Sequence, residues 1–140
     1  MIWFREYDVA EINGRPTNHI GALLGIEFME IGEDFVTARM PVNERTHQPY
    51  GILHGGASVV LAETLGSVAS SMVIDWEKYI GVGLEVNANH LRPVKSGYVT
   101  GVCKSIHIGG KTHVWDIKIY NDKGKMNCIS RLTVAIVPRP

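Results

Sequence analysis

Net charge is missing: fourteen Lys and Arg balance fourteen Asp and Glu over 140 residues. A nucleic-acid partner usually needs a basic surface, so none is expected. Cysteine is scarce too. Cys103 and Cys128 cannot build a disulfide framework. One bridge remains open as an alternative, and the expectation is a reduced, cytoplasmic protein. The longest uncharged, mostly apolar run is Thr64 to Ile74. At about 1.5 Å per residue it is too short for a bilayer core of roughly 30 Å. Met1 to Asp8 carries no apolar signal-peptide core. No membrane partner is expected. The chain also lacks a Gly-x-Ser-x-Gly elbow and a Walker loop, which argues against a serine hydrolase of that type and a nucleotide hydrolase. His19, His47, His54, His90, His107 and His113 are scattered with no standard ligand spacing, so no metal is expected.

What is present is an ordinary globular balance: 45% apolar and 20% charged residues, enough for one buried core in a single domain over 1–140. Asp8 to Leu24 reads as one or two short helices. Asp8 or Asn13 would cap the first, Asn18 the second, and Gly25 would stop the second. Gly25 to Ile31 and Phe35 to Met40 read as a β-hairpin, with Val36, Ala38 and Met40 on one face. Pro41 to Tyr50 is a loop. Gly55 to Val73 is the one long helix, apolar nearly all round, which predicts burial. It carries a row of small residues, Ser58, Ala62, Gly66 and Ser70, suited to close packing on a sheet or another helix. Four strands follow, roughly Tyr79 to Leu91, Gly97 to Ile108, His113 to Tyr120 and Met126 to Val137. Gly109-Gly110 and Asn121 to Gly124 supply hairpin turns. This order predicts an α+β fold, an antiparallel sheet with one helix lying on it. The sheet's other face would need cover, and a second copy would supply it.

The chemistry concentrates between Thr46 and Ser67. Glu63 is the only charged residue from Thr46 to Ile74. Carboxylates on apolar helices are rare unless paired or functional, and no basic residue lies within a turn of it. Gly55-Gly56 opens the long helix, where backbone N–H groups lack acceptors and carry the positive end of the dipole. They make either a tight turn or an oxyanion site. His54 either bonds nearby backbone or serves the site. Ser67 lies one turn beyond Glu63 on the same face. Gln48, in a loop, says nothing alone. The acyl-binding wall is expected from Tyr50, Val59 and Val68.

Four stretches then fall in register: Arg45 to Gly51, Leu53 to Ser58, Leu61 to Ser67 and Asn87 to Val94. Together they resemble the hotdog-fold acyl-CoA thioesterases over essentially the whole chain. The nearest subgroup includes the 1,4-dihydroxy-2-naphthoyl-CoA hydrolases and relatives acting on other aryl and acyl thioesters. The resemblance implies an antiparallel sheet wrapped around one central helix. It implies hydrolysis of an acyl-CoA or aryl-CoA thioester. Glu63 would act as nucleophile or general base and Gly55 as oxyanion donor. Gln48 and His54 would lie beside the thioester, with Ser67 as the helical hydroxyl. It implies coenzyme A contacts at Gly83, at His90, Leu91, Arg92 and Pro93, and at His107, Ile108, Gly109, Gly110, Lys111 and Thr112. No cofactor is implied, since coenzyme A is part of the substrate. It also implies a homodimer that pairs again into a homotetramer. A hotdog-fold dehydratase acting on 3-hydroxyacyl thioesters and a non-catalytic acyl-CoA binder are the alternatives.

The chemistry fits these residues independently. An alkyl thiol with a pKa of about 8.5 leaves readily as thiolate. One carboxylate, one water and one oxyanion donor then suffice. Gly55 and Glu63, however, are eight residues apart on one helix, roughly 12 Å along its axis. A glutamate cannot easily span that distance. The expectation is a composite site across a homodimer, with Gln48, His54 and Gly55 from one chain and Glu63 and Ser67 from the other.

Overall fold

The computed structural model describes residues 1–140. Two short helices, α1 (Val9–Asn13) and α2 (Ile20–Leu23), precede a hairpin, β1 (Glu27–Ile31) and β2 (Phe35–Pro41). The long helix α3 spans Gly55–Val73. Then come β3 (Tyr79–His90), β4 (Tyr98–Ile108), β5 (Thr112–Asn121) and β6 (Met126–Pro138). All six strands form one antiparallel sheet in the order β1-β2-β4-β5-β6-β3. The expected α+β arrangement is present, and the strand bounds fall within a residue or two of the sequence reading.

Alternation sets the inner face. Val36, Ala38 and Met40 of β2, Trp115, Ile117 and Ile119 of β5, and Cys128, Leu132 and Val134 of β6 are buried. Against them α3 presents Leu61, Ala62, Leu65, Ala69 and Met72. Burial of each Val, Leu, Ile or Met among them contributes about 1.5–3 kcal/mol. The small-residue row Ser58, Ala62, Gly66 and Ser70 lies on this buried face. A Cβ at Gly66 would run into Leu132, and one at Gly101 would meet the Leu65 side chain at 2.5 Å. The row therefore serves close packing on the sheet inside one protomer and is not free for a partner's helix. Ser70 Oγ accepts from Trp115 Nε1 at 2.7 Å and lies 3.0 Å from His113 Nδ1, so this buried polar group is paired.

The structure corrects the expectation that α3 is buried all round. Nine of its nineteen residues are buried, while Glu63 and Val68 are half-buried and Ser67 is exposed. The polar and apolar side chains beyond the sheet-facing stripe are small enough that composition alone hides this asymmetry. By length and composition α3 would also reach across a bilayer. Its most apolar stripe is instead taken up by the sheet.

Near the start of the chain, Asp8 caps α1, its carboxylate accepting the Glu11 N–H at 2.7 Å. Asn13 is no cap. It pins β1, accepting from Phe28 N and donating to Phe28 O, each at 2.9 Å. The cap of α2 is His19, one residue after the expected Asn18, with its ring nitrogen accepting the Ala22 N–H at 3.3 Å. Gly25 follows α2 at a φ of 75°, where a side chain would be strained, and ends the helix as expected.

Candidate active site

His54 is the N-cap of α3. Its backbone is extended, its Nδ1 accepts the Gly56 N–H at 2.8 Å, and its carbonyl accepts the Ala57 N–H at 3.0 Å. That leaves the Gly55 N–H without an acceptor at the positive end of a nineteen-residue helix. The preceding loop is held in place. His54 N–H donates to Thr46 O and Leu53 N–H to Val94 O, each at 2.8 Å. Thr46, buried, donates its hydroxyl to Pro41 O at 2.8 Å. Gln48 sits in this loop, its side-chain oxygen accepting the Tyr50 N–H. Of the two readings of His54, backbone bonding is what the protomer displays.

A cleft of about 530 Å³ opens at this end of the molecule. Gln48, Gly55, Ser58, His90, Leu91, Arg92, Pro93 and Asn127 line it, with Ile52, Leu53 and Val94. His90, the last residue of β3, lays its ring over Gly55: a Cβ at position 55 would be 2.8 Å from His90 Nε2. Tyr50 is 90% exposed, and neither it nor Val59 nor Val68 lines this cleft of the protomer. A tyrosine in a loop reads as apolar lining, but the turn closed by Gly51 N–H and Gln48 O at 3.0 Å leaves it projecting outward.

Glu63 and Ser67 are not in the cleft. Glu63 has no basic partner. Its carboxylate lies over Gly83 of β3. Residues His107 to Thr112 form the β4–β5 turn. Thr112 pairs with Ala135, which pairs with Val82, so this turn shares the Gly83 end of the sheet. Ile108, Gly109 and Gly110 line a separate hollow there with His113. One protomer thus divides the sequence-derived set in two. Gln48, His54, Gly55 and His90 to Pro93 stand at one end of β3. Glu63, Gly83 and the 107–112 turn stand farther back along it, level with the middle of the strand. A further hollow, of about 380 Å³, is lined by Arg5, Tyr7, Arg15, Trp76 and Arg139 and holds none of these residues.

The sequence profile of the Thioesterase superfamily matches residues 50–128, more than half of the chain. The chain belongs to this family. The thioesterase is 48% identical over 137 residues to the 1,4-dihydroxy-2-naphthoyl-CoA hydrolase of Escherichia coli, covering 98% of this chain and 100% of that one. It is 43% identical over 137 residues to the proofreading thioesterase EntH of Cronobacter turicensis, covering 98% and 99%. Among solved structures, a glutamine-to-alanine variant of a Pseudomonas aeruginosa thioesterase superposes with a TM-score of 0.98 at 54% identity, covering 99% of this chain and 100% of that one. The fold is the hotdog fold, as the motifs implied, and the thioesterase is a thioester hydrolase. Dehydratase and non-catalytic binder are not favoured, since these named relatives are hydrolases or thioesterases.

The sequence marked Ser58 only as a small packing residue and Asn127 not at all; both are buried and line the cleft of the thioesterase. Asn127 falls inside the strand expected from Met126 to Val137 and is not singled out there. Its one signal is a polar residue where a strand should already be alternating.

Proposed function

We propose that this thioesterase hydrolyses an acyl-CoA or aryl-CoA thioester to the free acid and coenzyme A, in a site built from two copies of the chain. The observation that carries the reading is the pair of contacts on β3. Glu63 lies over Gly83, and Gly55 lies under His90. β3 is an edge strand of twelve residues, paired on one side only, with Val82 and Leu84 exposed. Long open edges invite a further strand. Two copies of β3 pairing antiparallel, with Gly83 opposite the partner's His90, would bring Glu63 beside the partner's Gly55. Twofold symmetry would make two such sites.

In that site the Gly55 N–H would hold the carbonyl oxygen as charge develops there. Gln48 would lie beside the thioester, and His54 would fix the helix end. Glu63, as general base, would take a proton from water while the water oxygen attacks the carbonyl carbon. As nucleophile, it would attack the carbon itself and leave water to cleave the resulting anhydride. Either way the C–S bond breaks, the electron pair leaves on sulfur, and the proton is returned to the thiolate. Ser67, one turn from Glu63, would hold the water. His90 to Pro93 and, from the partner, Gly83 and the 107–112 turn would receive coenzyme A. The protein would need no cofactor of its own.

An aromatic acyl group, with 1,4-dihydroxy-2-naphthoyl first among candidates, is supported by the hydrolase relative. The exposed Ile106 and Ile108 on the sheet support pairing of dimers into a tetramer. The free, buried Cys103 and Cys128 support a reducing, cytoplasmic setting. The test is a thioester panel, aryl-CoA against aliphatic acyl-CoA of graded length, ranked by kcat/KM. Aryl-CoA should lead, and absence of turnover on every thioester would overturn the reading.

A further inference from the structure

The chain's even balance of charge breaks down in the hollow of about 380 Å³ beside the last turn of α3. It gathers Arg5, Arg15 and Arg139 against one carboxylate, Glu11. Arg5 is spent on that carboxylate: its guanidinium bridges Glu11 and also donates to Glu6 O at 2.8 Å. Arg15 and Arg139 enter no ion pair. Arg139 is nonetheless fixed in place. Its Nε donates to Trp76 O at 2.7 Å and its backbone N–H to Lys78 O at 2.8 Å. Its guanidinium carbon stands 5.5 Å from the centre of the Trp76 ring. This anchoring through Nε leaves the two terminal nitrogens, the fork that grips an oxyanion, without a partner. The end of a helix repels anions, but here Phe4 N–H covers the Met72 carbonyl at 2.8 Å.

Trp76 completes the hollow. It is 52% exposed, whereas Trp3 and Trp115 are buried. Arg15 and Arg139 are exposed as well, so an occupant reaches all three side chains. The hollow shares no residue with the cleft at Gly55, nor with Glu63, Gly83 or the 107–112 turn. Ser71 in its wall is sixteen residues along α3 from Gly55, roughly 24 Å of helix.

We propose that this hollow is a second ligand site, which takes a small planar aromatic anion. The ring lies against Trp76, and its carboxylate or phosphate bridges the guanidinium groups of Arg15 and Arg139. Two such forks match the oxygens of either group, and a ring beside tryptophan gains stacking contact. Two sources carry this chemistry. One is an aromatic carboxylic acid, the class that hydrolysis of an aryl thioester releases. The other is a nucleotide phosphate. The site stands whether or not the thioesterase acts on aryl substrates.

The experiment is isothermal titration calorimetry of the full chain with naphthoate, naphthamide, adenosine monophosphate and inorganic phosphate. Naphthoate or the nucleotide should bind, and the double variant Arg15→Gln, Arg139→Gln should weaken that binding about tenfold or more. Trp76→Ala should weaken it too, while kcat/KM on benzoyl-CoA stays unchanged in every variant. A response confined to naphthoate identifies the carboxylic acid as the source, and one confined to the nucleotide identifies the phosphate. A response by both supports a site that accepts either oxyanion. Affinity unmoved by the double variant, or absence of binding by both aromatic anions, overturns the proposal. So does binding of neutral naphthamide or of inorganic phosphate as tight as that of the aromatic anions. A parallel fall in kcat/KM would assign the arginines to the thioester site and overturn it as well. Arg15→Gln alone replaces the double variant should that fail to fold, with the thermal midpoint confirming the fold.

Discussion

Glu63 Oε2 lies over the α-carbon of Gly83 so closely that a Cβ there would sit 2.5 Å from it. The carboxylate has no basic partner, so the flat backbone of β3 is what it rests on. Gly83→Ala should therefore displace Glu63 while sparing the strand, because Gly83 is not among the glycines of positive φ. Misplacing a reacting group by about 1 Å can cost around 10²-fold. The expected result is a fall in kcat of at least about tenfold with the fold retained. Unchanged kcat would place the working carboxylate elsewhere.

Glu63→Gln keeps the shape and removes the charge. It should lower kcat by at least about 10²-fold, the scale of a lost acid–base group. Circular dichroism should report an unaltered fold. Near-normal turnover would sink the assignment of Glu63.

Complementation tests the shared site. Glu63→Gln chains and chains altered at both Gln48 and His54 should each be inactive alone. Refolded together, they should regain activity, because a heterodimer contains one site with all its groups intact. Inactive mixtures in which heterodimers demonstrably form would show that the site lies within one chain.

His113 gives a stability prediction. It is buried beside Ser70 and Trp115, and burial, with His107 adding to it, lowers its pKa from the ordinary 6.5. The unfolded chain then takes up a proton that the folded one resists. The stability is fully present above about pH 6.5 and is lost as pH falls toward the lower folded value. The urea midpoint should therefore drop between about pH 8 and about pH 5, and His113→Phe should flatten part of that drop while lowering the midpoint at neutral pH. A variant with the same pH slope as the unaltered protein would refute the assignment.

The long helix was legible to the residue, because a run between Gly55 and Asp75 with Glu63 as its only charge leaves few places to start or stop. The last four strands were legible from their turns. The position of β3 was not. Nothing in Tyr79 to His90 announces that it crosses to the far edge beside β6 instead of pairing with the next strand, since partner choice is made by the whole sheet. The same blindness applied to α3, whose unburied face is composed of residues that look apolar or small in sequence. The cap at His19 was hidden because an imidazole nitrogen does there what Asn18 was expected to do. Glu63 and Gly55 were recognisable as candidates by residue type and motif. That they face separate parts of one strand, its middle and its last residue, became visible only with Gly83 and His90 in place. Asn127 was missed because the bulge that makes it the extra residue of β6 leaves no mark on composition.

With the site shared between two copies as proposed, the open flank of β3 would make catalysis a matter of mass action. On the proposed reading, a single copy would hold the oxyanion donor at one end of its edge strand and the carboxylate near the middle, each half idle. If the edge is closed by a second copy, both halves become complete in the same event, and the strand that invites wrong pairing is hidden by the right one. Specific activity should then fall on dilution with the population of paired chains, and substrate, which can bridge only the closed edge, should pull the pairing back.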